Sequence, residues 1–254
     1  MPTFGTLELT GVVDRLPTMR DLETEAWTLP GAEILQLAFE VPRATGSLLP
    51  PAMHPAIPPY ATIWVTRYPE SPVGPFILAQ LRLMGRAGAH PRGLVLGAVA
   101  STPDAATALR ERWGLPVVAG HVTFTRRHDR IITTVTRDGT TVLDGGLIDP
   151  EPISPGDVQY IHSVTLAQAP LDGTTAPRLI QVDSRYTLKN ADRGRPHVGA
   201  LVPEAWNAGP LRLLNPIAAT VTASDTDLPR IRFVMDALVP VVRGTRRIRE
   251  SREE

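Results

Sequence analysis

The sequence predicts an α+β fold dominated by antiparallel strands, arranged as a curved or barrel-like sheet with one well-defined helix at about 103–113. Three observations carry this expectation. Runs rich in β-branched and apolar residues recur along the chain, separated by Gly, Pro and Asp clusters. Asp138-Gly139 lies between two such runs, the signature of a tight hairpin. Only the stretch 102–114 carries both start and stop signals of a helix. With 254 residues, 43% of them hydrophobic, the chain can bury a substantial core. No linker-like stretch divides it, so residues 1–243 read as one domain, and the charged tail 244–254 is expected to lack structure.

The elements follow in order. Residues 32–41 include Ile34, Leu35, Leu37 and Phe39 and fit a strand. Pro50, Pro51, Pro55, Pro58 and Pro59 impose an extended connector that neither helix nor central strand tolerates. Residues 61–68 form a strand with Thr62, Trp64 and Thr66 on one face and Ile63, Val65 and Arg67 on the other. The turn PESPVGP leads into the strand 76–84. Its face of Ile77, Ala79, Leu81 and Leu83 is wholly apolar, a core face. Phe76, Leu78, Gln80 and Arg82 are mixed, which suits solvent or a ligand cavity. A third strand, 93–100, precedes the helix. There Thr102 is an N-cap, Pro103 fits the first helical position and Asp104 suits the positive end of the dipole. Ala106, Leu109 and Trp113 share the buried face, Gly114 supplies a left-handed stop and Pro116 forbids continuation. From there the pattern is β: strands at 117–125, 131–136, 140–143, 158–168 and 179–183, then at 211–214, 217–222 and 231–238. The segment 144–156 reads as a loop and 185–196 as a polar excursion.

Composition excludes several classes of function. A formal net charge of zero favours neither nucleic acid nor a membrane surface. The absence of cysteine removes disulfides, zinc–thiolate sites and thiol nucleophiles. The six histidines are scattered without ligand spacing, so no metal and no cofactor is expected. The start MPTFGTLELTG does not resemble a signal peptide, and apolar runs such as 93–100 are too short to span a bilayer, so a cytoplasmic protein is expected. Among 26 basic residues only Lys189 is a lysine. Arginine does not deprotonate near neutrality, so a side-chain Schiff base has Lys189 as its single possible seat.

Three segments carry a family resemblance. Tyr68-Pro69-Glu70-Ser71-Pro72-Val73-Gly74-Pro75-Phe76 is similar to the Y-P-x-S-x-V-G-P-Y turn of the acetoacetate decarboxylase-like superfamily. Trp113-Gly114-Leu115-Pro116 resembles its W-G-hydrophobic-P segment, and Pro177-Arg178-Leu179-Ile180 its late P-R segment. The resemblance implies a β-rich, cone-like sheet enclosing a cavity, a small-molecule substrate and a homo-oligomer. It also implies a lysine pair after the tryptophan motif, one lysine forming the Schiff base, where this chain has Val117 and Val118. Two cavity glutamates of the family fall at Leu78 and Trp64, and its cavity arginine falls near Gly46. Charged residues are thus replaced together, which is physically consistent, because deleting the lysines alone would strand buried carboxylates.

Candidate site residues follow from this alignment and from strand alternation. His121 shares Val117's face by alternation and is a candidate acid or base, set against a structural histidine. Gln80 and Arg82 share Leu78's face and can bind a carbonyl or carboxylate oxygen, set against an outward polar face. Trp64, Trp113, Leu78, Val117 and Val118 are candidate walls, with Trp113 also a natural core residue. The expected function is an enzyme that binds an apolar, carbonyl-containing molecule and promotes a lyase, dehydratase, cyclase or isomerase step without a Schiff base. The alternatives are a non-catalytic ligand-binding homologue and a decarboxylase using Lys189, which lies among polar residues.

Overall fold

The computed structural model describes residues 3–248. Its centre is a long strand, β1 (Trp27–Glu40), flanked by β3 (Tyr60–Tyr68) and by β13 (Pro216–Leu228), which comes from the far end of the chain. From β3 the sheet continues through β4 (Phe76–Ala87) and β5 (His90–Ala100) to β10 (Ser163–Leu171), β11 (Thr174–Val182), β14 (Phe233–Asp236) and β15 (Thr245–Arg247). From β13 it continues through β12 (Arg185–Leu201), β9 (Thr140–Ile153) and β8 (Arg130–Arg137) to β7 (His121–Arg126). Two short strands lie off this path: β2 (His54–Pro55) pairs with β4, and β6 (Val117–Ala119) pairs in parallel with β5. The sheet is mainly antiparallel, as expected, and its hydrogen-bonded path does not close.

The sheet nevertheless wraps around an apolar interior. Leu35, Ile63, Leu81 and Val99 from one arc meet Val122, Val135 and Leu143 from the other. The seam is spanned by β6: its ladder to β5 ends where Gly120 N–H donates to the Ala100 carbonyl, and the chain then turns into β7. A Cβ at Gly120 would lie 2.7 Å from Val99 Cγ1 and 2.9 Å from the Thr136 oxygen, so this corner needs glycine. The expected strand 117–125 is therefore two strands, β6 and β7, separated at Gly120 and paired with different neighbours.

The helix α1 (Pro103–Trp113) follows its sequence signals closely. Thr102 Oγ1 accepts from the Ala105 N–H at 3.3 Å, and Gly114 adopts a left-handed φ of 61°. Its buried face of Ala105, Ala106, Leu109 and Trp113 packs on the outer side of the sheet with Trp27, Leu78 and Val117, so β4 and β5 are covered on both faces. The expected loop 144–156 and polar excursion 185–196 are instead long paired strands. Both surfaces of β12 remain partly exposed, so it lacks the alternation that marks a half-buried strand. Residues 245–247, expected in an unstructured tail, pair with β14; residues 249–254 lie outside the described residues. A short helix, α2 (Val241–Gly244), precedes them.

Candidate functional site

Strand register determines which side chains meet. Residues paired across a ladder point to the same face. Thr220 on β13 pairs with Gln36 on β1, Gln36 with Trp64 on β3, Trp64 with Gln80 on β4, Gln80 with Ala98 on β5, and Ala98 with Val117 on β6. One row across the outer face of the wall thus unites Trp64, Gln80 and Val117. The adjacent rows add Thr66 with Leu78, and Thr62 with Arg82.

Arg82 is the centre of this face. It is 4% exposed, and beside it Gln80 is 5% and Trp64 2% exposed. Arg82 Nε donates to Gln80 Oε1 at 2.8 Å, and its guanidinium carbon lies 4.1 Å from the Trp64 ring centroid. Trp64 Nε1 donates to Thr66 Oγ1 at 2.9 Å, which holds the indole in that pose. Two tyrosines complete an aromatic cluster: Tyr160 stands edge-on to Trp64 at 4.5 Å, and Tyr186 lies 5.1 Å from Tyr160. Tyr160, Tyr186 and Gln36 are half-buried and form the outer side of the cluster. Among the described residues no carboxylate lies within ion-pair distance of Arg82.

Electrostatics follow from this burial. Desolvation lowers the proton affinity of the Arg82 guanidinium, and Tyr186 and Tyr68 partly offset that. An arginine so placed still carries its charge. Burial pushes the phenols of Tyr160 and Tyr68 well above the usual tyrosine range, against weaker opposing hydrogen bonds. Tyr160 shares a 2.7 Å hydrogen bond with Thr222 Oγ1. The buried hydroxyl of Thr220 faces the same phenol.

The expected site residues separate into two groups. Trp64, Leu78, Gln80, Arg82 and Val117 are together on one buried face. Three others do not join them. His121 is exposed on β7: Val118 and Val122 both pack on the interior, so His121 does share Val117's outward side, but that side is uncovered beyond Val117, where Ala119 is exposed as well. Val118 points the other way and packs against the interior core. Trp113 is fully buried, donates from Nε1 to the Pro229 carbonyl at 3.0 Å and lies edge-on to Trp27, so it is a core residue under α1. Tyr160, Tyr186, Thr220 and Thr222 escaped the sequence reading. The threonines alternate along 217–222 and signalled a polar face; the tyrosines carry no local signal, since their partners lie far away in sequence. Lys189 is exposed and donates to Asp225 Oδ1 at 2.7 Å. Among the described residues no three His, Asp or Glu side chains are grouped to hold a metal.

Two cavities lie away from this face. One of about 390 Å³ is lined by Leu16, Leu48, Leu94, Leu96 and Leu166, with Arg15 and Glu204 also on its wall. The other, about 370 Å³, is bounded by 198–201 and 211–214. None of the expected site residues lines either. The face at Arg82 carries the concentration of polar chemistry, and its volume is filled by packed rings.

Comparison with known proteins agrees with this architecture. Residues 15–236 match the acetoacetate decarboxylase family. No curated protein matches the sequence. The fold is similar to that of the acetoacetate decarboxylase from Legionella pneumophila subsp. pneumophila str. Philadelphia 1, with a TM-score of 0.73, 18% identity, and coverage of 90% of this chain and 96% of that one. It is also similar to the enduracididine biosynthesis enzyme MppR complexed with pyruvate, with a TM-score of 0.68, 14% identity and coverage of 85% and 97%. A third similar fold is an acetoacetate decarboxylase-like enzyme from Sphingomonas wittichii RW1, with a TM-score of 0.65, 15% identity and coverage of 81% and 91%.

Proposed function

The chain belongs to the acetoacetate decarboxylase family, and from that premise we propose that it is a small-molecule enzyme of this superfamily that works without a side-chain amine. The observation that carries this reading is the buried Arg82–Gln80 pair on the same face as Val117, while the single lysine, Lys189, is exposed and paired with Asp225. The substrate is an apolar, carbonyl-containing molecule. With Oε1 of Gln80 accepting from Arg82, the group Gln80 offers a ligand is its amide N–H. That donor and the guanidinium polarise a carbonyl and stabilise the oxyanion that develops as a neighbouring bond breaks or a ring closes. The phenol of Tyr160, which burial keeps neutral, serves as a hydrogen-bond donor rather than as an acid. His121 has no part in this scheme. The steps it suits are lyase, dehydratase, cyclase or isomerase chemistry. MppR, which shares the fold, is described as complexed with pyruvate, and that supports a small oxo compound as the substrate class.

The test joins trapping to turnover. Borohydride reduction with acetoacetate, read by intact mass, is expected to leave the protein unmodified. An adduct mapped to Lys189 overturns the amine-free reading. In a screen of apolar ketones, the active substrate should be turned over about 10²-fold more slowly by Gln80→Ala, the loss typical of removing one oxyanion donor. Unchanged turnover removes Gln80 from the mechanism. The cavity of about 390 Å³, with its leucine lining, favours a second reading as a ligand-binding homologue. Tight ligand binding with no conversion would select it. The protein is further proposed to be cytoplasmic and homo-oligomeric; no helix among the described residues is long and apolar enough to cross a membrane.

A further inference from the structure

We infer that the cavity of about 390 Å³ is a binding site for a neutral aliphatic chain of about ten to twelve carbons ending in a hydroxyl. This rests on the reading of that cavity as a ligand site and is independent of the chemistry at Arg82. The cavity exists because the sheet parts there. The parallel ladder between β5 and β10 consists of Ser163 with Gly93 and Val164 with Leu94. β6 takes up the same edge of β5 only from Ala98 onward. Between these two ladders, Leu96 is the extra residue of a bulge against β4. It lines the gap together with Leu94, with Leu166 of β10 and with Pro116, which precedes β6. An apolar gap of this kind stays dry, and while empty it forfeits the contacts its walls could make.

The floor of the cavity is fixed and its roof is not. The floor is the turn Pro203–Trp206 with Asn207. Trp206 Nε1 donates to the Val142 carbonyl at 3.3 Å, and Asn207 Nδ2 to that of Leu96 at 3.2 Å. A Cβ at Gly97 would lie 2.8 Å from Trp206 Cα, so the turn is seated directly on β5. The roof is the strap 7–17. Its ends are tied down, where Leu7 N–H donates to the Leu49 carbonyl and Gln168 N–H to that of Pro17. Between them the backbone bonds of the strap are internal, with one further bond from Gln168 Nε2 to the Val13 carbonyl. Lifting the strap therefore breaks few bonds. Leu7, Val12 and Leu16 on it, and Leu48 across the cavity, are only half-buried, so an occupant would complete their burial.

The lining also selects the occupant. An apolar cavity of about 150 Å³ holds one benzene, so this one has room for roughly fifteen non-hydrogen atoms. Among the described residues its walls carry leucine, valine and proline and no aromatic ring, which suits a flexible saturated chain better than a flat one. Exposed Arg15 and Glu204 bring opposite charges to the wall, and among the described residues they form no ion pair with each other. A charged head would gain from one and lose to the other, whereas a hydroxyl donates to Glu204 and accepts from Arg15.

The test titrates decanol, octanol, decanoate and the flat naphthol into the full-length protein by calorimetry and thermal shift. Decanol is expected to bind at a single site and raise Tm. Octanol should bind about tenfold more weakly, the loss expected for two buried methylenes. Decanoate should also bind at least about tenfold more weakly, because Glu204 repels it, and Glu204→Gln should remove that difference. Leu166→Trp fills the cavity and should abolish decanol binding. Because this variant can fail to fold, Leu16→Trp fills the same space from the half-buried strap. Wild-type decanol affinity in folded Leu16→Trp overturns the inference, as does decanoate binding as tightly as decanol. Naphthol binding in place of decanol, lost in Leu16→Trp, overturns the aliphatic assignment and keeps the cavity as a ligand site. Binding of neither overturns both. Decanol binding alongside turnover of a ketone leaves this inference standing and removes only the non-catalytic alternative.

Discussion

At the scale of single residues, the stack of Trp64 and Arg82 is the most consequential contact on the outer face. The indole is buried between Arg82, Tyr160 and Tyr186 and tied to Thr66. Trp64→Ala should cost about 3–5 kcal/mol in denaturant unfolding, as expected when a buried tryptophan leaves a void. A cost below about 1 kcal/mol would mean that the rings collapse into the space. The pairing of Gln80 with Arg82 was legible in the sequence, because alternation along β4 puts both on Leu78's face. The error at His121 has a different root: alternation does put it on Val117's side, but nothing covers that side beyond Val117, so Ala119 and His121 face solvent. Burial of Trp64 and Trp113 was foreseeable from their apolar bulk, but which of them faces polar chemistry depended on what lies opposite each.

Among the elements, α1 was the most fully legible, since its cap, face and stop are all local features. Each supports a separate measurement. Thr102→Ala removes the cap and should cost about 1 kcal/mol. Gly114→Ala should cost more, about 2 kcal/mol or above, for two reasons. The φ of 61° is unfavourable to a side chain, and a Cβ would lie 2.6 Å from Ala167 Cβ. If equilibrium unfolding ranked the two in the opposite order, the stop would owe nothing to that close approach. The strands that were misread share one property. In β9, Asp144-Gly145-Gly146 looks like a turn, yet a Cβ at Gly146 would lie 1.9 Å from the Ile131 oxygen, so glycine there permits β8 to approach. A glycine required by a neighbouring strand is indistinguishable, in one sequence, from a glycine required by a turn.

For the whole molecule, the two buried phenols set an alkaline limit. Tyr68 and Tyr160 hold their protons more tightly in the folded protein than at the ordinary value of 10.0. The stability they contribute is therefore complete below that pH and is lost as pH rises beyond it toward their folded values. Unfolding midpoints should fall steeply above pH 10.0 in the wild type and less steeply in Tyr68→Phe. Identical slopes would show that this phenol is not the group responsible. The general architecture was legible because strand composition and turn residues are local. The order of strands was not, since it depends on pairings between distant segments. One of these has a consequence in time as well as in space. β1 lies between β3 and β13, its register running from Ile34 against Thr222 to Leu37 against Ala219. A chain emerging from the ribosome exposes that edge of β1 until β13 has been made. Closing so long a loop carries a large entropic barrier before any contact rewards it. The first long strand to be synthesised is thus among the last to be completed, and through that interval its bare edge is open to pairing with other chains.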